Sequence, residues 1–230
     1  MTPGFNPGAC RRPVLVGLTG GIAMGKSVAA SALRRAGVPV FDADAAVHRL
    51  LEAGGGAHDA VARAFPESVV DGRIERGRLG AKVFGDPGSL ARLEVIVHPL
   101  VAEERRAFLR RCRALGKRVA VLEVPLLYET GGDADCDYVA VVSAPAAVQR
   151  RRALARPGMD APRLAAILDR QMSDAEKRRR ADFVIPTGLG RAATLRAIRR
   201  MLTMIGDSKP RRSARKRGSW GRHARGRARH

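Results

Sequence analysis

The sequence predicts an α/β protein in which a parallel sheet is flanked by helices. Short apolar runs of strand length alternate with longer stretches of helical pattern, which is typical of a parallel sheet covered on both faces. The first apolar run, residues 14–18, leads through a glycine-rich loop into an Ala- and Leu-rich segment that favours helix. A long stretch between two of the strands has helical spacing, which predicts a helical insertion in this architecture.

The elements follow from the pattern in chain order. Apolar runs predict strands, and amphipathic spacing predicts helices that end at Gly or Pro. The predicted strands are 14–18, 38–41, 119–122, 136–142 and 181–185, and the predicted helices are 28–36, 45–51, 146–154, 160–181 and 192–205. Residues 57–116 read as largely helical without strand-like alternation, and Pro99 is expected to end or restart a helix there. Residues 125–131 read as a loop.

The loop after the first strand has the pattern Gly-x-x-x-x-Gly-Lys-Ser, with a strand before it and a helix after it. In that context the pattern predicts a P-loop whose backbone N–H groups surround phosphate oxygens at a helix N-terminus. Lys26 is expected to reach the β- and γ-phosphates, and the Ser27 hydroxyl to hold Mg²⁺. The alternative is a glycine-rich turn without a ligand. The predicted nucleotide-binding residues are Gly20, Gly21, Ile22, Ala23, Met24, Gly25, Lys26, Ser27 and Val28.

Several charged residues outside the loop are candidates for the site. Glu123 ends an apolar run, as a Walker B carboxylate does, and is therefore expected to help position Mg²⁺ with Ser27. Asp42 and Asp44 follow the second strand at the edge where ligands bind in open α/β sheets. Asp42 is equally well explained as a helix N-cap, whereas Asp44 is the better functional candidate. His98 has two explanations as well, a ligand contact or a hydrogen bond at a helix end.

Arginines cluster in the segment that follows the fourth predicted strand. Arg152 and Arg156 are four residues apart, so on one helix they would share a face. Mobile arginines stabilise the charge on a transferring phosphoryl group in many kinases. The alternative is a solvated basic helix. We therefore treat Arg152 and Arg156 as candidate catalytic residues.

Composition limits the class of protein. No apolar run approaches the roughly 20 residues of a membrane helix, and residues 1–13 lack the apolar core of a secretory signal. Three widely spaced cysteines suggest reduced thiols and a cytoplasmic protein. The formal net charge is +21, and residues 207–230 alone carry ten Lys or Arg and one Asp. This basic tail has almost no apolar residues and is predicted to be disordered, and nucleic-acid contact is expected only through it.

An ordered set of motifs resembles the dephospho-CoA kinase family from about residue 14 to residue 202. The motifs that carry the resemblance are residues 18–27, Phe41-Asp-Ala-Asp44, His98-Pro99, residues 125–131, Arg152-x-x-x-Arg156, Gln171-Met-Ser173 and residues 181–185. The resemblance implies ATP-dependent phosphorylation of the ribose 3′-hydroxyl of dephospho-CoA. It also implies a P-loop kinase domain over residues 14–206, after an N-terminal extension (1–13), with a helical CoA-binding insertion at about 55–116 and a small lid at about 145–178.

The resemblance assigns roles residue by residue. It implies that Asp44 is the catalytic base, that Thr19 and Lys26 belong to the phosphate site, and that Arg152 and Arg156 belong to the lid. Three positions depart from the family pattern. Ala23 replaces a glycine, so we expect its backbone to avoid the left-handed region, and Glu123 stands where an aspartate is common. Ile167 stands where many members have an arginine, so no ligand role is assigned to it.

Three alternative functions can be weighed on the sequence. A GTPase would need an Asn-Lys-x-Asp guanine-reading motif, and the only asparagine is Asn6. Another small-molecule kinase, specific for a nucleoside or nucleotide, stays open as the second enzymatic reading. A non-enzymatic RNA- or DNA-binding module is disfavoured because one Trp, two Tyr and six Phe form no cluster for base stacking.

Overall fold

The computed structural model describes residues 12–84 and 86–207. Nearly all of the predicted N-terminal extension, and all but Asp207 of the predicted basic tail, therefore lie outside the described residues. The chain divides into two compact units. The core unit takes in the described parts of Met1–Phe41 and Leu109–Gly218, and the insertion unit covers Asp42–Phe108.

A five-stranded sheet forms the centre of the fold, and its strands are β1 Val14–Thr19, β2 Val40–Asp42, β5 Val119–Glu123, β6 Tyr138–Ser143 and β7 Phe183–Pro186. They lie in the order β2-β5-β1-β6-β7. β1 pairs in parallel with both β5 and β6, and β6 pairs in parallel with β7. The predicted fold class, a P-loop-type parallel sheet flanked by helices, is confirmed.

In sequence, eight α-helices lie between strands of the described chain, and a ninth follows the last strand. They are α1 Lys26–Arg35, α2 Ala43–Leu51, α3 His58–Ala64, α4 Arg76–Phe84, α5 Pro87–Ala114, α6 Ala146–Leu154, α7 Ala161–Arg170, α8 Asp174–Arg180 and α9 Arg191–Asp207. α1 ends at Arg35, and Gly37 follows with φ of 76°. The glycine stop predicted for this helix is therefore confirmed.

The core of the sheet lies where α1 and α9 pack against it. Ala29 and Leu33 of α1, and Ile198 and Met201 of α9, are buried in one cluster with apolar side chains of the strands. Burial of this apolar surface is the main stabilising contribution to such a fold. The strand order places β1 at the middle of the sheet, so the loop that leaves its carboxyl end starts between β5 and β6.

The insertion unit contains a hairpin that the sequence interpretation missed. β3 (Val69–Val70) and β4 (Arg73–Ile74) pair in antiparallel fashion around Asp71 and Gly72. Both turn residues have positive φ, 48° and 70°, as a type I′ turn requires. The prediction that residues 57–116 contain no strand is therefore wrong. The two-residue strands are too short to show alternation, although the Asp-Gly pair is itself a hairpin signal.

Pro99 does not end a helix, and the corresponding prediction is wrong. It lies inside α5, which runs without interruption from Pro87 to Ala114. A proline inside a helix leaves the carbonyl four residues earlier without its N–H partner, and in α5 that residue is Val95. Both Pro99 and Val95 have exposed side chains, so water can satisfy the carbonyl on this side of the helix.

The helix predicted over residues 160–181 is two helices, α7 and α8, separated at Gln171–Ser173. Ser173 caps the second of them, because its side chain accepts a hydrogen bond from the Glu176 N–H. This break matters for the site, since the Gln171 side chain and the Met172 N–H have partners outside the two helices. Within the described residues, no helix is both long and apolar enough to cross a membrane.

Candidate active site

The glycine-rich loop follows β1 and ends where α1 begins at Lys26. Gly25 has φ of 86°, and a Cβ there would lie 2.9 Å from the Thr187 hydroxyl oxygen. A Cβ on Gly20 would lie 2.7 Å from the carbonyl oxygen of Val142. Glycine is therefore required at both ends of the loop, by backbone conformation at Gly25 and by close packing against β6 at Gly20.

Ala23 adopts the conformation that the sequence interpretation expected it to avoid. Its φ is 58°, in the left-handed region, so that expectation is wrong. An alanine in this region costs roughly 1–2 kcal/mol. The Ala23 methyl group is buried with Ala153 and Leu164 of the following helices, and this packing offsets part of the backbone strain. The loop therefore keeps the glycine geometry although the glycine is absent.

Two glutamines hold the peptide groups of Ile22. The Gln171 Oε1 accepts the Ile22 N–H at 3.0 Å, and the Gln149 Nε2 donates to the Ile22 carbonyl at 3.0 Å. The loop conformation is thus fixed from α6 and from the break between α7 and α8. In the sequence Gln171 stands out only as part of the motif at residues 171–173, and Gln149 does not stand out at all, because an isolated amide on a helix carries no pattern of its own.

Lys26 and Glu123 meet at the carboxyl ends of β1 and β5. The Lys26 Nζ donates to Glu123 Oε1 at 2.9 Å, and the Arg34 guanidinium lies 3.4 Å from Oε2. The Glu123 side chain is almost completely buried, with 4% exposed. A buried carboxylate needs such partners because desolvation penalises its charge. The structure therefore pairs the P-loop lysine with the Walker B-type carboxylate at the carboxyl ends of the parallel strands.

Ser27 lies in the first turn of α1 with an exposed side chain. In the described part of the chain its hydroxyl has no hydrogen-bond partner, and no group of three His, Cys, Asp or Glu side chains could hold a metal ion. Mg²⁺ usually keeps several waters and takes one or two protein ligands together with substrate phosphates. A serine hydroxyl at the start of α1, together with the Glu123 carboxylate at the end of β5, supplies the small number of protein oxygens that this mode of binding needs.

A buried lysine below the loop was missed by the sequence interpretation. The Lys177 side chain is fully buried, and its Nζ lies 2.8 Å from Glu129 Oε1 and 3.5 Å from the Pro125 carbonyl. The same carbonyl accepts the Thr19 hydroxyl at 2.9 Å, and Glu129 also accepts the Met172 N–H. This network connects the end of β1 with the segment that carries Gln171. Lys177 opens a run of four basic residues, a pattern that usually indicates a solvated face.

The two candidate arginines have different environments. Arg152 donates to the Thr187 carbonyl at 2.8 Å, and Thr187 in turn donates its hydroxyl to the Met24 carbonyl in the loop. Arg156 lies beyond the end of α6 at Leu154, and its side chain is exposed. The inference that both arginines share one helical face therefore does not hold, because the helix ends between them.

Asp42 and Asp44 begin the insertion unit and have distinct local roles. The Asp42 carboxylate accepts the Ala45 N–H at 3.0 Å and so caps α2. This geometry satisfies one of the free N–H groups at the helix start. Asp44 lies in the first turn with an exposed side chain. His98 is an exposed residue in the interior of α5 and does not lie at an end of that helix.

Comparison with known proteins gives a consistent result. Residues 14–189 match the family model described as dephospho-CoA kinase. A Mesorhizobium japonicum protein named dephospho-CoA kinase is 55% identical over 177 residues, which cover 77% of this chain and 89% of the relative. One of the same name from Paramagnetospirillum magneticum is 56% identical over 196 residues, covering 85% and 92%.

Solved structures agree with these sequence relationships. A crystal structure of a Thermus thermophilus protein is 36% identical, with a TM-score of 0.75 over 84% of this chain and 98% of that chain. The structure of dephospho-CoA kinase from Campylobacter jejuni has a TM-score of 0.59 at 24% identity, over 83% of this chain and 96% of that one. At that identity the second likeness supports the fold alone.

Proposed function

This chain belongs to the dephospho-CoA kinase family, and we propose which of its residues perform the reaction. The enzyme is a phosphotransferase with an alcohol acceptor. It transfers the γ-phosphoryl group of ATP to the ribose 3′-hydroxyl of dephospho-CoA, giving coenzyme A and ADP in the final step of coenzyme A biosynthesis. The single observation that best supports this reaction is the ion pair between Lys26, at the end of the P-loop, and the buried Glu123.

Residues 19–28 are proposed to bind the triphosphate. The backbone N–H groups of the loop and the start of α1 offer donors and a positive dipole end to phosphate oxygens. Lys26 is proposed to move from Glu123 to the β- and γ-phosphates when ATP binds, because its flexible ammonium group then gains a more highly charged partner. Gln149 and Gln171 hold the loop in its binding conformation before the nucleotide arrives.

The metal requirement is proposed to be met by Ser27 and Glu123. Ser27 would be the direct ligand through its hydroxyl, and Glu123 would act through water once Lys26 has left it. An Mg²⁺ ion held by these residues would supply positive charge that offsets the negative charge on the phosphates. These two residues are the metal ligands that the sequence predicts.

Asp44 is proposed as the general base for the acceptor hydroxyl. As the ribose oxygen attacks the γ-phosphorus, its proton passes to the Asp44 carboxylate, and the bond to the β-phosphate oxygen breaks. Asp42 is the weaker candidate because its carboxylate already caps α2. The Asp44 side chain is exposed, whereas Asp42 is half-buried, so Asp44 is the more accessible of the two to a substrate.

Arg152 and Arg156 are proposed to stabilise charge on the transferring phosphoryl group. Arg152 is linked to the loop through Thr187, and Arg156 is an exposed guanidinium beyond the end of α6. Arginines in such positions can act as mobile cationic groups in phosphoryl transfer. A cytoplasmic location, and nucleic-acid contact through the basic tail, stay predictions from the sequence.

A coupled assay of ADP release tests the function. With ATP and Mg²⁺, adding dephospho-CoA should accelerate ADP release, and Lys26→Ala should abolish most of this acceleration, since a preorganised charge at the phosphates is worth ~3 kcal/mol or more. Adenosine and shikimate serve as control acceptors. An ADP release that responds to another small molecule but not to dephospho-CoA would instead support the alternative of a different small-molecule kinase.

A further inference from the structure

The insertion unit contains an open depression of about 390 Å³. Its walls come from the carboxyl-terminal part of α2 on one side and from the β3–β4 hairpin and the start of α4 on the other. The floor is apolar, with Leu51 and Ile74 buried, and the rim carries His48, Arg73 and Arg76. Sites for small molecules commonly have this volume and this combination of an apolar surface with a few polar groups.

The two arginines at the rim are not neutralised by neighbouring carboxylates. Within residues 12–84 and 86–207, no carboxylate lies within ion-pair distance of the Arg73 or Arg76 guanidinium. Glu75 lies between the two arginines in the sequence. Its carboxylate binds backbone groups instead, because its two oxygens accept the N–H groups of Gly77 and Arg78 at 3.0 and 2.8 Å. The hydrogen bond from the Arg78 N–H, and after it the one from the Gly77 N–H, holds the pKa of the Glu75 carboxyl below its ordinary value.

Glu52 also lines the depression and contributes one negative charge to it. The Glu52 carboxylate lies 3.1 Å from the His48 Nδ1, and its side chain is 61% exposed. A protonated His48 would neutralise Glu52, and a neutral His48 would leave one negative charge against two positive ones. In either state the lining carries net positive charge. The depression therefore suits an anion that has an apolar part next to it.

The depression has a defined position relative to Asp44. His48 lies one helical turn after Asp44 on α2, so the two residues share a face and are separated by roughly 6 Å along the helix axis. In dephospho-CoA, the 3′-hydroxyl and the 5′-diphosphate belong to the same ribose and are only a few bonds apart. An acceptor whose hydroxyl is at Asp44 thus has its diphosphate within reach of this depression.

We propose that Arg73 and Arg76 bind the 5′-diphosphate of the acceptor, and that the apolar floor takes the first part of its pantetheine arm. This inference rests on the proposed function and identifies what selects the acceptor. Arginine suits the role because its planar guanidinium binds two phosphate oxygens at once. The bare nucleoside adenosine lacks the group that these arginines recognise.

Calorimetric titration of the full-length protein with dephospho-CoA tests the inference. In the double variant Arg73→Gln/Arg76→Gln, the Kd for dephospho-CoA should rise roughly tenfold to a hundredfold, since each charge-assisted contact contributes about that much. The Kd for ATP should not change. Arg78→Gln is the matched control, because Arg78 lies on α4 as Arg76 does, and its side chain is exposed but does not line the depression. All side chains changed are exposed, and thermal melting verifies that the variants are folded.

The outcomes separate the two proposals. If the wild-type enzyme phosphorylates dephospho-CoA and the double variant binds it with unchanged Kd, the assignment of the depression is wrong and the proposed function stands. If the wild-type protein binds dephospho-CoA through these arginines but does not phosphorylate it, the proposed function is wrong and the binding site stands. Equal weakening of adenosine and dephospho-CoA binding would also overturn the assignment, because adenosine carries no diphosphate.

Discussion

The phosphate-binding loop of the core unit and the exposed charged residues of the insertion unit are built in different ways. Around the loop, buried or half-buried side chains fix the backbone: Gln149 and Gln171 hold Ile22, and Thr187 holds Met24. In the insertion unit, Asp44, Arg73 and Arg76 have exposed side chains on regular secondary structure. The loop therefore has a fixed conformation before its ligand binds, whereas the charged side chains of the insertion unit are exposed and accessible to a substrate.

The difference predicts two kinds of response to substitution. A change beneath the loop should alter stability and nucleotide binding together, because the same contacts support both. A change at an exposed residue of the insertion unit should alter catalysis or acceptor binding while the melting temperature stays constant, because exposed side chains contribute little to folding. Substitutions in the two regions can therefore be used to separate donor from acceptor functions.

The largest effect is expected at Asp44. Asp44→Asn removes the proposed base, so kcat should fall by roughly 10²–10⁴ with little change in Tm. Asp42→Asn is the control, and it should be much milder because asparagine also caps helices well. Steady-state kinetics and thermal melting of both variants provide the measurement. An inactive Asp42→Asn beside an active Asp44→Asn would show that the two roles are reversed.

A large effect on stability is expected at Lys177, beneath the loop. Lys177→Met leaves the Glu129 carboxylate without its buried partner, which should destabilise the protein by ~3 kcal/mol and raise the KM for ATP. Lys177→Arg should retain more of both properties. Chemical denaturation would measure the loss, and the exposed neighbour Arg178→Met should change the free energy of unfolding by less than about 0.5 kcal/mol.

The pair can be tested further with a double variant. Glu129→Gln/Lys177→Met removes both charges, so it should recover part of the stability that Lys177→Met loses. If the two single changes simply add, Lys177 and Glu129 do not act as a pair, and the network that joins β1 to Gln171 has no energetic basis.

The sequence predicted the sheet and the loop well because both depend on patterns that local residues carry. Apolar runs give the five strands of the sheet, and the glycines with Lys26 and Ser27 give the loop. The contacts that hold the loop could not be predicted in this way. Gln149, Lys177 and Thr187 each form a hydrogen bond with a residue more than thirty positions away in the sequence. No local sequence pattern distinguishes these three side chains from solvated ones.

Pro99 and Ala23 show the opposite limit, where a local rule was applied and the fold overrode it. Pro99 lies inside a 28-residue helix, on an exposed side where water can satisfy the Val95 carbonyl. Ala23 takes a glycine conformation because the loop is fixed at Ile22 and Met24 on either side. The fold therefore outweighs a local preference of about 3 kcal/mol at Pro99 and of roughly 1–2 kcal/mol at Ala23.

The smallest effect is expected for Ala23→Gly. Glycine relieves the backbone strain, but it also loses a buried methyl worth about 0.8 kcal/mol and gains entropy in the unfolded chain. These contributions nearly cancel, so the free energy of unfolding should change by less than about 1 kcal/mol. Chemical denaturation of this variant measures the balance, and a stabilisation well above that value would mean that the methyl packing contributes little.

The most direct test of the division between donor and acceptor is a comparison of two single variants by steady-state kinetics. Gln171→Ala removes a hydrogen bond from the loop and should raise the KM for ATP roughly three- to tenfold without changing the KM for dephospho-CoA. Arg76→Gln should do the reverse. If each variant raises both constants to the same extent, the loop and the insertion unit do not have separate functions, and the division between donor and acceptor is wrong.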